Sequence, residues 1–201
     1  MEVDPMEIVQ QASEQAEKDR AAARLNTLVA ITVAILATFM GICKVKDDNI
    51  VQSMQQAQAN KIDHWAFYQA RNIREEVANA AVLQMQLNMA DAASAQQQRY
   101  EAAISRYQKM VREQSEKKAE LKQQAEQDQK DYDAANFRDD QFDLSDALLA
   151  IAISLLAVTS LTRKPWLYAI AMVPTVFGFL MGLSGLLGWS IHPTELIKFL
   201  S

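Results

Sequence analysis

Residues 166–189 read WLYAIAMVPTVFGFLMGLSGLLGW, and no side chain in the stretch is charged. A helix needs about 20 mostly apolar residues to cross the hydrocarbon core of a bilayer. Trp166 and Tyr168 lie at one end and Trp189 at the other. Amphipathic rings at both ends match the two headgroup belts of a span. A buried helix of a water-soluble protein is the competing explanation, but this segment is apolar all round and long for that role. Working back, Thr162-Arg163-Lys164-Pro165 is a short basic loop, and residues 144–161 read LSDALLAIAISLLAVTSL with Asp146 near the start. Residues 25–45, LNTLVAITVAILATFMGICKV, carry no charge before Lys44. Three transmembrane helices are therefore expected, at 25–45, 144–162 and 166–189. A polar helical segment, 1–24, precedes them, and residues 192–201 form a short amphipathic segment from Pro193 that suits the membrane interface.

Half of the 201 residues are hydrophobic, but the average conceals two phases, because the stretch between the first two spans is rich in Gln, Ala, Glu, Lys and Asp. The net charge of −5 and the lack of a basic patch speak against nucleic acid as a partner. Cys43 is the single cysteine, so no intrachain disulfide forms and the redox compartment is not legible from cysteine usage. The opening MEVDPMEIVQQ lacks the basic start and apolar run of a signal peptide, so the first apolar segment is expected to remain as a span.

No glycine and no proline occurs between Gly41 and Pro165. Those residues are the strongest breakers of regular structure. The insert, 46–143, is otherwise dominated by good helix formers. From Tyr100 a seam runs through Ile104, Tyr107, Val111, Gln114, Lys118, Leu121, Ala125, Asp128, Tyr132 and Ala135, in alternating steps of four and three. That is heptad spacing. Ile62, Ala66, Ile73, Val77, Ala80, Leu83 and Leu87 form a looser stripe in the first half. As one helix the insert would reach about 145 Å, yet both ends must return to the same membrane surface. An antiparallel, coiled-coil-like hairpin satisfies this, with its reversal expected within Asn88–Ser94 and further breaks at Asp47-Asp48-Asn49 and around 136–143. Ser145 is the expected N-cap of the second span, with Leu144 and Leu149 as a hydrophobic staple. The fold class is thus an all-α membrane protein with a hairpin inserted between spans one and two. Polar interruptions make the seam thin, so the lipid bilayer and further copies of the chain, as a homo-oligomer, are the expected partners. The alternative is a monomeric, partly frayed hairpin.

Packing residues follow from size. Ala30, Ala34, Ala37 and Gly41 line one side of the first span; Gly178 and Gly182 form a GxxxG pair in the third, with Gly185 next. Small residues let helices approach closely in lipid. Pro174, mid-span, is expected to kink its helix. Trp65 and Tyr68, three apart with Phe67 offset, suit packing anchors, and Tyr100, Ile104, Tyr107 and Val111 complete the candidate packing set.

The run NIVQSMQQAQANKIDHWAFYQARNIREEVA, 49–78, is the most distinctive in the chain. With the lead EKDRAAARLN at 17–26 and the later FDLSDALLAIAISLLAVTSLTRKPWLY at 142–168, it resembles the bacterial domain of unknown function 4337 family. The resemblance extends over about residues 15 to 190. It implies one span, a helical insert and two closing spans, and supplies no activity and no catalytic residue.

No Gly-rich phosphate loop, nucleophile elbow or HExxH motif is present, and His64 and His192 lack a clustered set of ligands. No catalytic residue, metal site or cofactor is expected, and the chain is expected not to be an enzyme. Asp47-Asp48 and Asp139-Asp140 would approach one another if the hairpin forms, making either an acidic, cation-attracting mouth or ordinary helix-end solvation. The basic loop at 162–165, with Arg20 and Arg24, favours a cytoplasmic N-terminus in a bacterial inner membrane and a periplasmic insert, although Lys44 and Lys46 oppose this. A scaffold, spacer or accessory subunit is the leading expectation for function. An oligomeric channel or transport component is the alternative.

Overall fold

A computed structural model describes residues 5–90, 92–189 and 191. The described residues form α1 (Pro5–Ala90), α2 (Ser94–Thr162) and α3 (Pro165–Leu187), with no strand among them. The 192–201 segment lies outside the described residues. Pro5 starts α1 and Pro165 starts α3, where a missing N–H leaves no intrahelical bond unmade. Arg163 opens the α2–α3 turn in the left-handed region at φ 57°, its N–H bonded to the carbonyl of Thr159. Each helix contains a stretch long and apolar enough to cross a membrane.

α1 ends at Ala90 and α2 begins at Ser94, within the run Asn88–Ser94. The other two expected breaks are corrected, since α1 passes unbroken through 47–49 and α2 through 136–143. Asp and Asn disfavour a helix interior only weakly, and at 47–49 a neighbouring positive charge offsets that preference. Lys44 Nζ bonds Asp47 at 2.8 Å and approaches Asp48 at 3.4 Å, one turn back on the same face. Ser145 is likewise no N-cap: it lies inside α2, and its hydroxyl donates to the carbonyl of Gly178 at 2.8 Å. Pro174 lies inside α3.

The chain divides into two compact units, Met1–Val51 with Asn136–Ser201, and Gln52–Ala135. In the first, parts of α1, α2 and α3 share a core of Val29, Leu36, Leu149, Ala152, Leu156 and Ala171, flanked by Phe39, Met40 and Tyr168. Thr32 already donates to the carbonyl of Leu28, so Tyr168 donates its hydroxyl to Thr32 across 3.0 Å. Phe39 and Phe179 stack with centroids 4.3 Å apart. Gln141, Ser145, Thr159 and Ser184 are buried in this unit, while Leu28, Ile31, Ile35, Val173, Val176 and Phe177 face outward.

In the second unit, segments of α1 and α2 pair in opposite chain directions: His64 meets Asp128, and Arg71 meets Gln114. The α2 heptad seam from Tyr100 to Ala135 is buried or half-buried throughout. The α1 stripe is not its partner. Ile62, Ile73, Val77, Leu83 and Leu87 are 58–63 % exposed, and Ala66 and Ala80 are exposed as well. α1 turns Lys61, His64, Tyr68, Arg71, Asn72, Glu75 and Ala78 inward instead. The reason lies in the polar members of the α2 seam. Each would forfeit about 1–3 kcal/mol if buried without a partner, and this face of α1 supplies partners to all three.

Candidate functional site

Three constellations are built from these elements. The first is a polar ladder in the second unit. Lys118 Nζ donates to Asn72 Oδ1 at 3.0 Å and lies 2.7 Å from Glu75 Oε2. The Glu75 contact pushes the Lys118 ammonium up from its ordinary value. Arg71 donates to Gln114 at 3.0 Å, and Lys61 donates to Gln129. His64 Nδ1 lies 2.6 Å from Asp128 Oδ2; a carboxylate only accepts, so Nδ1 carries the proton. Trp65 and Tyr68, both half-buried, meet edge to face at 5.3 Å, while Phe67 points to solvent. Ile104 is buried, and Tyr100, Tyr107 and Val111 are half-buried on the α2 side. Gln114, Lys118 and Asp128 read along the sequence as defects in the seam. Their heptad positions were the available signal that α1 must answer them with polar groups.

The second constellation is the close contact around the α3 glycines. A methyl group on Gly178 would come within 2.9 Å of Leu149, one on Gly182 within 2.7 Å of both Phe39 and Ser145, and one on Gly185 within 2.8 Å of Phe142. Backbone-to-side-chain contact this tight is what small residues permit. Beside it, the Nε2 of Gln141 reaches Ser184 Oγ at 3.1 Å and the carbonyls of Trp189 at 2.9 Å and Ile191 at 2.6 Å, tying down the end of α3. Ala30, Ala34, Ala37 and Gly41 do not join these contacts. All four are exposed, and a methyl on Gly41 would meet nothing within 4 Å.

The third is acidic. Asp47 is 4 % exposed, and its Oδ2 accepts from Lys44. Burial, the side chain of Asp47 and the charges of Asp143, Asp47 and Asp140 push the Asp139 carboxyl up to about 6. Burial, then the charge of Asp47, raises Asp143 too, against the opposing pull of Lys44. Cys43, Lys44, Asp47, Phe142, Asp143 and Asp146 enclose a cavity of about 10 Å³, room for about one water. Among the described residues no group of three or more His, Cys, Asp or Glu side chains is placed to hold a metal ion.

The class defined by these elements is an all-helical protein with three long apolar segments, packed through glycine and small polar groups. The family model "Domain of unknown function (DUF4337)" matches residues 25–188, and the chain belongs to this family. No curated protein and no solved structure matches it.

Proposed function

We propose that this chain is a multi-pass protein of a bacterial inner membrane, with spans at 25–45, 144–162 and 166–189. Residues 46–143 stand in water as an antiparallel hairpin that self-associates or docks a partner protein. The protein acts as a scaffold, spacer or accessory subunit and catalyses no reaction. The observation that carries this is the inverted polarity of the first unit. Gln141, Ser145 and Ser184 are buried with hydrogen bonds, and large apolar side chains face outward. In water that arrangement would leave far more apolar surface than a soluble monomer tolerates. In lipid it is the expected one, since association there rests on close packing and internal hydrogen bonds. The basic 162–165 loop favours a cytoplasmic N-terminus and a periplasmic insert. The test is fractionation and co-purification of the full chain from native membranes. Recovery only after detergent, with further copies or a constant partner, is the expected result. Recovery from the supernatant after lysis without detergent overturns the proposal.

A second reading, an oligomeric channel, rests on the outward small-residue face of Ala30, Ala34, Ala37 and Gly41. Ion flux through liposomes holding the purified protein would favour it, and absence of flux would count against it.

A further inference from the structure

The exposed stripe of α1 is a second heptad seam. Ala66, Ile73, Ala80 and Leu87 repeat every seven residues, and Ile62 and Leu83 fall on the companion positions that complete the four-three alternation. Gln69 and Glu76 occupy the remaining companion positions. All of these residues are exposed, whereas the opposite face of the same helix is engaged by α2. A 3.5-residue repeat buries completely only against another helix with the same repeat. The α2 seam is already engaged, so the partner helix must come from another chain.

We propose that a second copy of this chain docks here, seam against seam, as a parallel two-stranded coiled coil from Ile62 to Leu87. The proposal rests on the membrane-anchored, self-associating reading above: two copies held in one bilayer present the same stretch in the same direction. Composition favours a copy over a lipid surface. Helices that lie on membranes flank their apolar face with Lys and Arg. The positions flanking this seam are instead Asp63, Ala70, Val77 and Gln84 on one side and Trp65, Asn72, Asn79 and Gln86 on the other. Beyond Asp63 these flanks are neutral, so two identical chains meet without rows of like charge to separate them. The seam is about 37 Å long at 1.5 Å per residue and about 10 Å wide. Its plan area, roughly 400 Å², reaches half the per-partner area of a standard stable complex, and confinement of both copies to one membrane raises their effective concentration. Glu76 faces its own counterpart in the centre, a polar layer that fixes register at the expense of strength.

The test uses the full chain in membranes, in a Cys43→Ser background, with Ala80→Cys, Leu83→Cys or, on the outer face of α2, Ala119→Cys, each treated with a short bis-maleimide. Positions 80 and 83 should give about tenfold more cross-linked dimer than position 119. Glu76→Gln should increase the yield, and Ile73→Lys, at an exposed position that leaves the helix content intact, should abolish it. Equal yields at 80, 83 and 119 mean random collision and overturn the proposal. No cross-link at 80 or 83, with a purified particle of dimer mass or larger, overturns this surface and leaves self-association standing. A monomeric particle without cross-links overturns both.

Discussion

Gly182 and the ring of Phe39 are separated by so little that a single added methyl would lie 2.7 Å from Phe39 Cε1 and equally close to the hydroxyl of Ser145. Gly182→Ala therefore forces a shift of a packed aromatic ring and of the Ser145 bond to Gly178. Overpacking of this kind destabilises by about 1–3 kcal/mol. Gly41→Ala, with open space around it, should change monomer stability by no more than about 1 kcal/mol, the helix propensity difference. Thermal unfolding in detergent micelles measures both. Equal effects would refute the packing described here.

The pair His64–Asp128 predicts a coupling. Both side chains are largely buried at 2.6 Å, so His64→Ala leaves the carboxylate without its donor at a cost of about 1–3 kcal/mol. A double-mutant cycle with Asp128→Ala should return a coupling of about 1 kcal/mol. Strict additivity of the two single changes would show that the contact contributes nothing.

Acidity should affect the first unit with a defined sign. An unfolded Asp titrates near about 3.9, whereas Asp139 in the folded protein titrates at about 6. Between those values the folded state holds more protons, so stability falls as pH rises. The contribution is complete below about pH 4 and is lost above about 6. Asp139→Asn keeps the shape of the side chain and carries no charge. It should flatten the slope in that window and unfold at a higher temperature than the parent at neutral pH. Some slope of the same sign should remain from Asp143, which is raised as well. Identical pH profiles for parent and variant would contradict this assignment.

Ala93, between the end of α1 and the start of α2, reports orientation. In a Cys43→Ser background, Ala93→Cys should react with an impermeant maleimide once the outer membrane is permeable, before the inner membrane is breached. Labelling that waits for inner-membrane rupture would reverse the proposed topology.

Much of the architecture is set by local pattern. The uncharged run 166–189, the absence of any breaker between Gly41 and Pro165 and the heptad seam from Tyr100 to Ala135 are one-dimensional signals. Helix formation and amphipathicity depend on neighbours within a turn or two, so those signals suffice for three apolar segments and long helices. Which face of α1 meets α2 is not local. The apolar stripe from Ile62 to Leu87 was the obvious candidate, but the opposite face carries the groups that satisfy Gln114, Lys118 and Asp128. The choice between faces depends on the sum of desolvation and pairing across both helices, and no window of a single helix contains both terms. The same holds for Ser145, which reads as a helix cap until Gly178 is brought beside it, and for Asp139, whose carboxyl is raised only because segments about 90 residues apart bury it beside Asp47.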